Sequence, residues 1–186
     1  MMLLRETADF ALAVELRQGT ATIGEIYAFI SGLYFRGKMA YADAFAAPPE
    51  GIPAAAIIVP GLGLILPDTV FNCDQLRAIG SVPVDEETEV FSAPLLRDAA
   101  SLNDRAGLNC EYVLLGSIAT EKYSRSLLKV FGERLLFPAE FLGRGDMSRG
   151  GLMLRCARSG NELSYIAVQG AVRHGRRPPK LEPWRK

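Results

Sequence analysis

The chain has 186 residues, of which 49% are hydrophobic and 23% charged, and its 21 basic side chains balance 21 acidic ones. This is the composition of a globular domain, and no apolar run approaches the ~20 residues that a membrane-spanning helix needs. Arg5, Glu6 and Asp9 interrupt the N-terminus, which predicts no signal peptide, no membrane partner and a cytoplasmic location.

Helical patterns dominate the first 47 residues. Thr22 and Glu25 have the spacing of a capping box, and apolar residues then follow at i, i+3, i+4 and i+7. Gly32 interrupts this pattern, which resumes over residues 34–45. A short apolar run over 54–59 predicts a buried strand, followed by a turn-rich loop at 60–67 and a short helix at 72–79.

The second half of the chain alternates between predicted helices and predicted strands. The patterns predict helices over 94–105 and 121–131, strands over 111–116 and 134–137, and a β-hairpin formed by 151–157 and 162–168. Together these elements predict an α/β fold: a small, mostly parallel sheet flanked by helices, with a helical N-terminal part, a C-terminal β-hairpin and a basic tail. We expect residues 1–170 to form a single domain and 171–186 to form the tail.

Charge is unevenly distributed between the two ends. Residues 1–143 carry 11 Lys and Arg against 18 Asp and Glu, whereas residues 144–186 carry 10 against 3. A basic end of this kind can hold an anionic partner such as nucleic acid. It can equally lie solvated against the acidic body, and the sequence leaves both interpretations open.

The sequence predicts no metal site and no cofactor. Cys73, Cys110 and Cys156 are widely spaced, which argues against disulfides and against the paired ligands of a zinc site. The single histidine, His174, lies in the basic tail, so a Ser/His or Cys/His pair would need that tail folded into the site. No catalytic signature is complete.

Ligands of parallel α/β sheets bind beyond the carboxyl ends of the strands. Three predicted loops leave strands at that edge, at 60–67, 116–120 and 138–150, and all are rich in glycine, hydroxyl groups or charge. We therefore expect a ligand site where they converge.

Three groups of residues could form this site. Around the first helix break, Arg36 and Lys38 beside two glycines could hold a phosphate or carboxylate, with Tyr34 as a stacking surface. The competing interpretation is a helix joint with solvated cations. After the strand at 111–116, free helix amides could bind an anion together with Ser117, Thr120 and Lys122, and Tyr123 offers a second stacking surface. The competing interpretation there is that Thr120 is an ordinary N-cap.

The third group lies in the glycine-rich segment 141–151. Arg144 and Arg149 could clamp a phosphate or carboxylate, Ser148 adds a hydroxyl, and Asp146 could act as a catalytic acid or base. A purely structural turn joining Arg144 and Asp146 would explain the same residues without a ligand. The segment matches neither a P-loop nor a dinucleotide fingerprint.

Several short motifs resemble a known family. Leu33-Tyr-x-x-Gly37, the stretch Gly63 to Asp68, and Gly116 followed by Tyr123 occur in the order found in peroxide-stress YaaA-like proteins and related small domains. The chain departs from that pattern at Pro60-Gly61. The resemblance covers roughly residues 30–130 and implies a nucleotide or nucleic-acid ligand and a link to stress.

The sequence thus predicts a protein that binds a phosphate- or nucleobase-bearing small molecule, such as a nucleotide, with hydrolysis or group transfer as the reactions that Asp146 could serve. The alternative is a non-enzymatic nucleic-acid-binding stress protein that uses its basic C-terminal end.

Overall fold

The structure is a computed structural model that describes residues 1–173, 175–179 and 181. His174 and the predicted tail cations Lys180, Arg185 and Lys186 lie outside the described residues. The described part is a mixed α/β protein with six α-helices and seven short strands. The helices are α1 (Ala11–Gln18), α2 (Ile23–Phe45), α3 (Cys73–Ser81), α4 (Glu89–Ala106), α5 (Ser124–Phe131) and α6 (Asp146–Ser159). The strands are β1 (Ala21–Thr22), β2 (Ile57–Val59), β3 (Gly63–Ile65), β4 (Val70–Phe71), β5 (Tyr112–Val113), β6 (Leu135–Pro138) and β7 (Tyr165–Ala167).

The helix α2 begins and breaks where the sequence predicts. At its start the Glu25 amide donates to Thr22 Oγ1 at 3.3 Å, and the Glu25 carboxylate accepts from the Thr22 amide at 3.0 Å, which completes the capping box. Gly32 then adopts φ 54° and ψ −127°, a backbone conformation that residues with a Cβ rarely reach, and it kinks the helix. The second half of α2 therefore runs in a different direction from the first.

The prediction of a mostly parallel sheet is wrong. Three small sheets are present among the described residues, and only the β5–β6 pair is parallel. β2 turns back directly into β3, because the predicted loop at 60–67 contains the turn and second strand of an antiparallel hairpin. Gly63 lets that hairpin lie against α4, where the Leu64 amide donates to the Asp98 carboxylate at 3.0 Å. The hairpin loop therefore does not share a sheet edge with the other two predicted loops.

The predicted C-terminal hairpin is also wrong. Residues 151–157 belong to α6, and β7 instead pairs antiparallel with β6, with Phe137 opposite Ile166. Gly150 and Gly151 lower helix propensity, which favours a loop when the sequence is considered alone. Tertiary packing overrides that preference, because Arg149, Met153 and Cys156 are buried on one face of α6.

Two clusters of buried side chains form the core. The first gathers the N-terminal elements and the start of α2 around Leu16, Ile23 and Leu76. The second contains the aromatic residues of the C-terminal elements and is joined by Tyr41 from the end of α2. α2 therefore connects both clusters, and its second half packs along α6. In the part of the chain that the structure describes, no helix is long and apolar enough to span a bilayer.

Candidate functional site

Two glycines, Gly37 and Gly150, allow the backbones of α2 and α6 to approach closely where the helices cross. A Cβ on Gly37 would lie 2.7 Å from the Gly150 carbonyl oxygen, and a Cβ on Gly150 would lie 2.7 Å from the Leu33 carbonyl oxygen. Both positions therefore exclude any larger residue unless the helices separate. The close approach brings polar side chains of α2 and α6 together beside the kink at Gly32.

Tyr34 and Lys38 form the α2 side of this crossing. They lie one helical turn apart, and the Lys38 Nζ sits 4.2 Å from the centroid of the Tyr34 ring. Burial is the main reason why the pKa of Lys38 falls to about 8; the Arg149 charge lowers it further, and Asp146 opposes both. Burial raises the pKa of the Tyr34 phenol, and the nearby Arg149 guanidinium acts in the opposite direction.

Asp146 and Arg149 form the α6 side. The Arg149 side chain is 9% exposed, its Nε donates to the Phe141 carbonyl at 3.3 Å, and its Nη1 lies 3.6 Å from Asp146 Oδ1. Asp146 stands in the first turn of α6 and its side chain is 66% exposed, so a carboxylate faces solvent beside the buried cation. We call Tyr34, Lys38, Asp146 and Arg149 the crossing cluster.

The segment after β5 faces this cluster. The Tyr34 hydroxyl donates to the Leu115 carbonyl at 3.4 Å, and the nearby Tyr123 phenol adds to the rise in the pKa of Tyr34 that burial causes. Ser117 is partly buried and its Oγ accepts from the Ala119 amide at 3.3 Å, which stabilises the turn. The structure therefore brings Tyr34, Lys38, Asp146, Arg149 and Tyr123 together from three predicted groups.

A cavity of about 280 Å³ lies on the other side of the kink. Its lining is mainly apolar and includes Tyr27, Ser31, Pro60 and Val82. Burial raises the pKa of Tyr27 to about 12, and Tyr123 adds to that rise, so this cavity and the crossing cluster share a tyrosine neighbour. The sequence did not single out Tyr27 as a site residue, because Gly32 breaks the helix between Tyr27 and Tyr34 and no local pattern then relates the two.

Arg144 and Ser148 lie near the crossing but are bonded to the chain itself. Arg144 donates from Nε to the Glu140 carbonyl at 2.9 Å, and from Nη1 to Ser148 Oγ at 3.3 Å and to the Pro179 carbonyl at 3.4 Å. Gly143, at φ 71°, leaves room for the Arg176 backbone. These contacts join the tail to the glycine-rich segment.

The remaining predicted residues lie outside the cluster. Arg36 is exposed, because it is two positions from both Tyr34 and Lys38 and so points about 200° away from them. Thr120 and Lys122 are exposed in the loop before α5. Thr120 is not the N-cap of α5. The helix begins three residues later than a Thr120 cap would require, and Tyr123 occupies the N-cap position.

A different residue caps α5. Glu86 Oε1 accepts from the Ser126 amide at 3.2 Å, although the two residues are 40 positions apart. The Glu86 side chain is only 4% exposed, and burial raises the pKa of its carboxyl, with the Ser126 amide and Arg125 acting in the opposite direction. The acidic stretch at 85–89 is the only sequence feature that could have pointed to Glu86 as a cap. Nothing in the local sequence connects that stretch to α5.

No group of three metal-binding side chains occurs among the described residues. No family model, curated protein or solved structure matches the chain.

Proposed function

We propose that this protein binds a phosphate- or nucleobase-bearing small molecule at the crossing cluster, in the cytoplasm. The observation that supports this most directly is the meeting of two cations, Lys38 and Arg149, with one solvent-facing carboxylate, Asp146, at a crossing that glycines hold close. The three unpaired cysteines support a reducing compartment.

Each side chain has a place in this proposal. Lys38, partly exposed, supplies positive charge to the anionic group of the ligand, and Arg149 adds a fixed guanidinium beside it. Tyr34 and Tyr123 offer aromatic surfaces for a base, and the apolar cavity beside Tyr27 offers a volume for it. Asp146 is the carboxylate that would serve hydrolysis or group transfer, and the resemblance to YaaA-like proteins agrees with a nucleotide ligand.

The test is a thermal-shift panel with inorganic pyrophosphate, nucleosides, nucleotides, phosphosugars and short oligonucleotides, each at low and moderate salt. We expect one phosphate-bearing class of small molecule to raise the melting temperature, because a ligand that binds only the folded state stabilises it. The shift should persist at moderate salt and disappear in Lys38→Gln.

Lys129→Gln is the matched control, since it removes the same charge from an exposed position on α5. A shift of equal size in Lys38→Gln and in the unsubstituted protein would place the ligand elsewhere. No shift with any phosphate-bearing or nucleobase-bearing small molecule would contradict the proposal.

The second candidate function is nucleic-acid binding by the basic end. Arg176 and Arg177 are exposed, and together with Pro178 and Pro179 they border a broad cavity of about 640 Å³. Binding through these residues should weaken by about one log unit in affinity per log unit of salt for each phosphate neutralised. It should fall in Arg176→Gln/Arg177→Gln and be unaffected by Lys38→Gln. Binding that survives the double substitution would contradict this candidate.

A further inference from the structure

The surroundings of Lys38 are those of a reactive amine and not those of a lysine that only supplies charge. Among the described residues its ammonium has no ion pair within 4.0 Å of a carboxylate, and its Nζ lies over the face of the Tyr34 ring, 4.2 Å from the centroid. The close backbone contact at Gly37 fixes the helical turn that carries it. A lysine that is desolvated and next to a second cation is an activated nucleophile.

The charged and titratable groups around Lys38 come from each element packed against it. Tyr34 is on its own helix, Asp146 and Arg149 come from α6, and Tyr123 faces Tyr34 from the segment before α5. Burial together with Arg149 outweighs the attraction of Asp146 and lowers the pKa of Lys38 to about 8, so roughly a tenth of the amine is neutral at pH 7, against less than about a thousandth for an ordinary lysine. Only this neutral form attacks a carbonyl carbon.

We infer that Lys38 forms an imine with an aldehyde or ketone ligand that also carries a phosphate or carboxylate group. The inference rests on the proposed anion site, because Arg149 would hold the anionic group while the carbonyl carbon meets the Lys38 Nζ. The Nζ lone pair attacks that carbon to give a carbinolamine. The C–O bond then breaks, a C=N bond forms, and the oxygen leaves as water with both amine protons.

Asp146 completes the arrangement. Loss of water needs a group that exchanges protons with the carbinolamine, and Asp146 is the solvent-facing carboxylate of the cluster, electrostatically coupled to Lys38. The four members of the crossing cluster thus divide into a nucleophile, an anion-binding cation, a proton carrier and an aromatic wall.

The experiment is reductive trapping of the unsubstituted protein. Glycolaldehyde phosphate is the anionic probe and propionaldehyde the neutral one, each with sodium cyanoborohydride to reduce the imine to a stable secondary amine. The chain has five lysines, Lys38, Lys122, Lys129, Lys180 and Lys186, so peptide mass mapping resolves every site. At about pH 7.5 we expect Lys38 to react at least about tenfold faster than the exposed Lys122 and Lys129, because its neutral fraction is on the order of a hundred times that of an ordinary lysine, which more than offsets its lower intrinsic nucleophilicity.

Two further readouts separate reactivity from mere accessibility. The rate at Lys38 should level off above about pH 8, whereas the rates at exposed lysines continue to rise. Lys38 should also prefer glycolaldehyde phosphate to propionaldehyde, and Lys38→Arg should remove the fast-reacting site while the other four lysines still react.

Each outcome has one meaning. Labelling of Lys38 at the rate of the exposed lysines would overturn the inference even if nucleotides still stabilise the protein. Fast labelling with no preference for the phosphate would support the imine chemistry but overturn the anionic group of the inferred ligand, and with it the anion site of the proposed function. These results distinguish a failure of the inference from a failure of the proposed function.

Discussion

Two helices of the N-terminal region, α2 and α3, begin differently from α5 and α6 of the C-terminal region. α2 and α3 each start with a complete capping box built from neighbours in sequence, Thr22 with Glu25 and Asn72 with Gln75. α5 and α6 have no side-chain cap of their own. The amide of Ser126 in the first turn of α5 bonds instead to Glu86, which is distant in sequence.

This difference shows where local sequence ceases to determine the structure. At α2 and α3 the helix start is defined within four residues, so the cap itself depends little on the rest of the fold. In the C-terminal region the helices depend on contacts between distant segments, and the crossing cluster lies among those contacts. The following predictions test this contrast, from the largest expected effect to the smallest.

Gly150→Ala should destabilise the protein most. The added Cβ would meet the Leu33 carbonyl oxygen and the Tyr34 Cα at 2.7 and 2.8 Å, and backbone atoms cannot move aside as a flexible side chain does. We expect the free energy of unfolding to fall by about 3 kcal/mol, as for strong overpacking. Urea unfolding followed by circular dichroism measures it.

Gly80→Ala is the matched control for that substitution. Gly80 lies in α3, and a Cβ there would meet nothing within 4 Å. Alanine should therefore stabilise the protein by up to about 0.5 kcal/mol through helix propensity. Equal effects at the two glycines would show that propensity, and not the helix crossing, governs Gly150.

Glu86→Ala should cost about 2 kcal/mol, at the upper end of the range for lost caps, because the buried Ser126 amide loses its acceptor. The same unfolding measurement applies. If α5 were specified locally, as α2 is, the cost would be negligible.

The titration of Glu86 gives a prediction about pH. Burial raises the pKa of its carboxyl in the folded state above the ordinary value of 4.5, so the folded protein binds this proton more tightly than the unfolded chain. The resulting stability is complete below about pH 4.5 and is lost as pH rises through the raised folded pKa.

Glu86→Gln removes this titration and keeps an oxygen for the Ser126 amide. The free energy of unfolding of the unsubstituted protein, minus that of Glu86→Gln, should therefore decline from about pH 4 to pH 7. Urea unfolding at four or five pH values measures the difference. A rise over that interval would mean that the Arg125 charge outweighs burial at this carboxyl.

Thr22→Ala should have the smallest effect of the three destabilising changes, about 1 kcal/mol, because it removes one exposed side-chain acceptor from the capping box. Thr22→Ser retains the hydroxyl and should recover most of the loss. A loss larger than that of Glu86→Ala would reverse the contrast between local and distant caps.

Local patterns predicted the N-terminal helices well. The capping box of α2, its break at Gly32 and the short helix α3 are confirmed within one or two residues. Each depends on interactions within one or two helical turns, which a sequence displays directly. The parallel pairing of the strands at 111–116 and 134–137 is confirmed as well, although both strands are shorter or shifted.

Two other predicted strand pairings failed. The strand near residue 58 pairs with its own hairpin partner, and the segment expected to form the first strand of the C-terminal hairpin is the helix α6. Gly150 and Gly151 indicated a loop because glycine has a low helix propensity, which can be seen in the local sequence. Position 150 requires glycine because the backbone of α2, more than a hundred residues earlier in the chain, leaves no room for a Cβ.

The sequence by itself determined the class of side chains available for chemistry and the starts of the local helices. Tyr34, Lys38, Asp146 and Arg149 are all recognisable in it as polar or aromatic residues beside glycines. Only the tertiary structure decided that these four meet while Arg36 and Thr120 do not, because the Gly37–Gly150 contact sets which faces of α2 and α6 approach. Burial at that crossing, which no single segment encodes, is also what lowers the pKa of Lys38.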